Sequence, residues 1–248
     1  MLNLIRSDFY KAFHMKSFKV ICIVEAVIML LMEGPLAGDD IMRVCSFNDI
    51  VGIACSTITL LFFSIFLSLF VTSEYKNGYI KNISGNVPDR ALMLFSKLAV
   101  AFVVYWIFFF DILISTTLAD LIFHKITFED VVFSEIITQI LVVFFLTYAV
   151  GSVIILMACG ARNSGVSTTM AVMISGGLIV ETINVFYMLL VIAGIVSFDA
   201  NFDIYAYFLT PYINYYEPSD VGNACIAAAC YLVGSVVLTI LHLKKKDI

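Results

Sequence analysis

Long apolar runs separated by short polar stretches set the plan of this chain. Six can be read, at residues 18–37, 50–73, 97–120, 134–159, 168–196 and 223–243. Each approaches or exceeds the roughly 20 residues with which a helix crosses a hydrocarbon core of about 30 Å. The runs lack the period-two alternation of barrel strands, and unpaired backbone groups are prohibitively costly in lipid, so they predict α-helices. The expected fold is all-α, a polytopic membrane protein with six transmembrane helices. The first run is interrupted by Glu25 and Glu33.

The basic residues sort these crossings by side. Arg6, Lys11, Lys16, Lys19, Lys76, Lys81, Arg90, Lys97, Arg162, Lys244, Lys245 and Lys246 fall on one side if every run crosses once, and only Arg43 and Lys125 fall on the other. The positive-inside rule then predicts cytoplasmic N- and C-termini and three outward connections. Composition agrees, because a soluble domain cannot hide a chain that is 62% hydrophobic and 13% charged. The net charge of -5 says nothing about nucleic acid, since most of the acids lie in the outward connections, and no nucleic-acid partner is expected. The opening residues alternate polar and apolar rather than forming a signal-peptide core, so no signal peptide is expected.

Before the first run, Leu2, Ile5, Phe9, Ala12 and Phe13 share one side of a helical wheel, with Asn3, Ser7, Lys11 and His14 opposite. That pattern predicts an interfacial helix over residues 1–17. A plain basic flank of the first crossing is the alternative. The longest inward connection, 74–96, reads EYKNGYIKNISGNVPDRALMLFS. Ser73 and Glu74 can open a short helix through about Asn82, Ser84-Gly85-Asn86 can end it, and Pro88-Asp89 can start the next. Such a helix on the inner face suits docking by a cytoplasmic partner; a solvated loop is the other reading.

This connection resembles the first intracellular loop of ABC-2 type exporter permeases. The matching residues are Glu74, Gly78, Ile80, Lys81, Pro88, Arg90 and Lys97, whereas Tyr79 stands where that family often has Thr. The resemblance implies a single transmembrane domain over 1–248, driven by a separate ABC ATPase in two copies and paired with a second permease copy, either as a homodimer or with a sister chain. It implies a coupling surface at Glu74, Lys76, Gly78, Lys81, Arg90 and Arg162, which receives motion from the ATPase. It also implies short re-entrant or interfacial helices in the last outer connection, 197–222, rich in Tyr and Phe and broken by Pro211 and Pro218. An aromatic interface belt is the alternative there.

Missing chemistry narrows the function. No G-x-x-x-x-G-K-[ST] loop occurs, so ATP and magnesium are expected on the partner and no cofactor in this chain. The three histidines are far apart, and neither H-E-x-x-H nor G-x-S-x-G is present, so an enzyme is not expected. The six cysteines form no C-x-x-C pair and read as apolar filler, with no metal site.

Acids inside apolar runs are the clearest leads to a pathway. Glu25, Asp111 and Glu181 must each face protein, meet a water-filled cavity or be protonated, because a central membrane charge costs about 2.5–3.5 kcal/mol on insertion scales. Asp120 and Glu33 are placed nearer the outer headgroups. Glu181 follows Gly176-Gly177 and precedes Asn184, a face that either lines a translocation cavity at a subunit seam or packs closely within one subunit. These residues, Glu25, Asp111, Glu181 and Asn184, are the candidate pathway. Were the acids a proton or cation relay, the chain would be a secondary transporter or ion channel, but no matching broken helices or filter sequence appears. Small permeases with short outer loops resemble exporters of amphipathic and antimicrobial peptides in the bacterial plasma membrane, with lipid, drug or polymer as alternative cargo.

Overall fold

The computed structural model describes residues 2–33, 44–76, 91–123, 125–127, 133–192, 208–214 and 221–245. In chain order they form α1 (Leu2–His14), α2 (Lys16–Glu33), β1 (Val44–Ser46), α3 (Phe47–Ala54), α4 (Thr57–Lys76), α5 (Ala91–Phe123), β2 (Lys125–Thr127), α6 (Phe133–Ala161), α7 (Ser164–Ser175), α8 (Leu178–Ile192), α9 (Leu209–Asn214) and α10 (Val221–Lys245). The described chain is helical apart from a two-stranded parallel ladder that pairs Val44 with Lys125 and Ser46 with Thr127. That ladder joins the segment before α3 to the segment after α5, so these two points lie at the same end of the bundle.

Among the described residues, four segments are long and apolar enough to cross a membrane: Phe47–Tyr75, Ala91–Phe123, Phe133–Ala161 and Val221–Leu243. The first combines α3 and α4 across a short turn at Cys55-Ser56, where Ser56 Oγ accepts from the Ile58 amide at 3.3 Å. The sequence predicted six crossings. The fifth run is instead two helices, α7 and α8, meeting at 66°, so it counts as one broken span or a re-entrant turn. The first run forms α2, which carries Lys16, Lys19, Glu25 and Glu33 and is not among the four.

The bend has a local cause. Gly177 adopts φ +72°, a left-handed conformation that other residues enter only at a cost, and a Cβ on Gly176 would stand 2.9 Å from the Val172 carbonyl oxygen. The pair expected to let two helices approach therefore turns one helix out of its path. Thr210 of α9 donates to the Ile174 carbonyl at 3.1 Å, and Leu209 and Ile213 are buried in the same helix. Pro211, expected to break structure, sits in the first turn of α9, where its missing N–H leaves no bond unmade.

The core is aromatic and lies between α2, α4, α5 and α6. Phe18 of α2 packs on Phe66 and Phe108, Phe63 meets Tyr105 edge to face, and Phe66 stacks on Phe70. Lipid tails are as apolar as these rings, so close fit and polar bonds between helices hold the bundle. Gly151 provides the closest approach: a Cβ there would lie 2.8 Å from the Phe63 ring. Ser152 and Ser235 bond α6 to α10 at 2.6 Å, and Ser68 donates to Ser167 between α4 and α7 at 2.8 Å. Two placements differ from the sequence reading. Asp120, assigned to the outer headgroups, is buried, and α3 packs against the same helix. Ser73 and Glu74, expected to open a new helix, continue α4 through Lys76; Ser73 Oγ donates to the Phe70 carbonyl at 2.7 Å, a bond that lets serine sit inside a helix. Residues 77–82 of the expected short helix lie outside the described residues.

Candidate functional site

The end of α4 and the start of α5 bracket residues 77–90, and a buried ionic node ties these two feet together. The Lys97 ammonium of α5 donates to Glu74 Oε2 of α4 and lies 3.9 Å from Asp8 Oδ2 of α1. Lys11, one turn further along α1, reaches Glu74 Oε1 at 3.1 Å. Ser96 Oγ donates to Asp8 Oδ2 at 2.6 Å. Phe70 stands beneath both cations, with its ring centre 5.4 Å from the Lys11 nitrogen and 5.5 Å from that of Lys97, an attraction to the ring face.

Two acids and two bases balance, so the node is locally neutral. Its charges are nevertheless withdrawn from water: the Lys97 side chain is 6% exposed and that of Glu74 1%. Such a cluster contributes little net stability relative to well-packed apolar residues, but it strongly penalises any motion that separates its members. Burial pushes the Asp8 carboxyl above its ordinary value against the opposing pull of Lys97, and it pushes the Lys11 ammonium down against the opposing pull of Glu74.

Glu74 was expected to present its charge to the ATPase; the fold spends that charge inside the chain. Lys76 ends α4, and Gly78, Lys81 and Arg90 lie outside the described residues. Arg162 adopts a left-handed conformation, φ 54°, that ends α6, and Asn163 caps α7 by accepting from the Gly165 amide at 2.9 Å. The Arg162 guanidinium sits 5.5 Å from the centre of the Tyr75 ring. The turn between α6 and α7 is thus seated on the residue next to Glu74, in the last turn of α4.

Sequence reasoning missed Asp8, Lys11 and Ser96 as members of this node, and it cited Lys97 only within the motif. One signal was available. Asp8 lies three residues after Ile5 and four before Ala12, so it falls on the apolar face of α1, where an acid requires a buried partner. Lys11, placed on the polar face, turns inward because Glu74 offers that partner.

The four pathway candidates do not form one site. Glu25 of α2 and Asp111 of α5 bring their carboxyls within reach of each other. Glu181 lies in the first turn of α8 with its side chain exposed, and Asn184 is half-buried on the same helix. That helix buries only Val180 among its described residues. Among the described residues, no group of three or more His, Cys, Asp or Glu side chains is placed to hold a metal ion.

No curated protein matches the chain. Residues 4–178, which include α1, the ionic node, both facing carboxyls and the bend at Gly177, match the family described as ABC-2 family transporter protein. The chain therefore belongs to the ABC-2 family, as a membrane permease component of an ABC transporter that partners an ABC ATPase.

Proposed function

We propose that this permease exports amphipathic, cationic peptides, including antimicrobial ones, across a bacterial plasma membrane. It works as a dimer with two ATPase copies, crosses six times and keeps both termini in the cytoplasm. The observation that carries the reading is the ionic node at the feet of residues 77–90. A push on that connection reaches α4 and α5 together, because Glu74 and Lys97 cannot part without stranding buried charge, and it reaches α1 through Asp8 and Lys11. The Arg162 turn, resting on Tyr75, gives α6 and α7 the same input. Glu74 acts here as a positioning residue behind the docking surface, with Lys76, Gly78, Lys81 and Arg90 as the candidates for contact with the ATPase.

The apolar faces of α8 and α10, where Phe186, Leu189, Val233 and Leu241 are exposed in the single chain, support a second copy or lateral entry of an amphiphile from the bilayer. The test is reconstitution of the chain with its ATPase in liposomes. ATP-dependent movement of a labelled cationic amphipathic peptide is the expected result. Movement of lipid, drug or polymer with no peptide transport overturns the assignment, as does ion current in the absence of ATP.

A further inference from the structure

Glu25 and Asp111 face each other across the contact between α2 and α5, with no cation beside them among the described residues. Glu25 is fully buried, neither of its oxygens meets a hydrogen-bond donor among the described residues, and Asp111 Oδ2 is likewise without one. Three carboxyl oxygens, all acceptors when ionised, thus converge in an apolar interior. The helices packed against α2 are α1, α4 and α5. Their buried bases, Lys11 and Lys97, are engaged with Glu74 and Asp8 in the ionic node. Among the described residues, the one further titratable group interacting with the pair is the Cys22 thiol, which offers no positive charge.

Two adjacent carboxylates cannot both stay ionised without a counter-charge, as a rule for like charges in low dielectric. The choice is therefore among cations. A metal ion lacks a third side-chain ligand of the His, Cys, Asp or Glu type among the described residues. An ammonium or guanidinium group of a ligand has no open path to Glu25, which has no exposed surface. A proton needs neither space nor further ligands, and it turns one acceptor into the missing donor.

We propose that Glu25 and Asp111 form a proton-binding site in the membrane interior that holds at least one proton while α2 and α5 are packed together. The O–H of one carboxylic acid then donates to an oxygen of the other. When the two helices separate and water enters, that proton passes to water and leaves a hydrated carboxylate. The α2–α5 contact is accordingly linked to pH, whichever cargo the transporter carries, so the site stands or falls separately from peptide export.

The experiment is infrared difference spectroscopy of the full chain in lipid nanodiscs at neutral pH, comparing wild type with Glu25→Gln, Asp111→Asn and the double variant. The expected result is a carbonyl stretch of a neutral carboxylic acid that shifts in heavy water, is altered in each single variant and is lost in the double. Identical spectra in this region for wild type and a folded single variant overturn the site. A second measurement needs no variant. A hydrophobic carbodiimide, which reacts with neutral carboxylic acids, should modify the half-buried Asp111 or Glu25 at neutral pH and do so less as pH rises, read by peptide mass spectrometry. No modification at either residue, with an ionised carboxylate band in wild type, also overturns it.

Discussion

Lys97→Met tests the node directly. The substitution keeps the length of the side chain and its packing on Phe70 but removes the charge between Glu74 and Asp8. At the 3.9 Å separation from Asp8, two unit charges in an effective dielectric of about 20 attract by about 4 kcal/mol. Part of that energy offsets desolvation, and stripping one partner from a buried pair costs about 3–5 kcal/mol because the other charge is stranded. For a chain of this size each kcal/mol moves the melting temperature by about 2–4 °C, so a fall of roughly 10 °C is expected. The assay is thermal unfolding in nanodiscs, followed by intrinsic fluorescence. The double variant Lys97→Met with Glu74→Gln removes one charge of each sign, and it should recover about 2 kcal/mol as a coupling energy. A single variant that melts with wild type, or a double variant no better than the sum of the singles, refutes the argument that these charges stabilise one another.

Glu74→Ala removes the carboxylate that Lys11 and Lys97 share, so it should lower the melting temperature as well as reduce transport-linked ATP hydrolysis; unchanged hydrolysis at full occupancy of the ATPase counts against its positioning role. Burial raises the Asp8 carboxyl in the folded chain above 3.8, so Asp8 costs stability as pH rises from that value through its folded one. Asp8→Asn should remove that slope, so that its stability relative to wild type rises across that window in melts taken at stepped pH. Gly177→Ala must hold a Cβ at φ +72° and should destabilise the bend by about 1–2 kcal/mol, whereas an unchanged melt would show that the turn relaxes freely. Glu181→Gln should change peptide export if the exposed face of α8 meets cargo, and wild-type peptide resistance in cells assigns that face to packing instead.

The fold class was legible in the sequence because a bilayer leaves little choice. A long apolar run can satisfy its backbone only as a helix, and that rule placed α4, α5, α6 and α10 close to their observed positions. The motif at Glu74, Gly78 and Lys97 likewise carried the resemblance to the family in the sequence alone. Hydropathy could not show that the fifth run turns through 66°, because Gly176 and Gly177 are as compatible with close helix packing as with a left-handed turn. Nor could it pair the charges. Asp8 lies 89 residues before Lys97, and Glu25 lies 86 residues before Asp111. Which acid receives a lysine and which receives only another acid depends on how α1 and α2 lie against α5. By itself the sequence determined that acids inside or beside the bilayer need partners, since stranded charge there is costly. Only the tertiary structure decided the partners, because separations of a few ångströms between helices are set by side-chain packing and are not written in any local pattern.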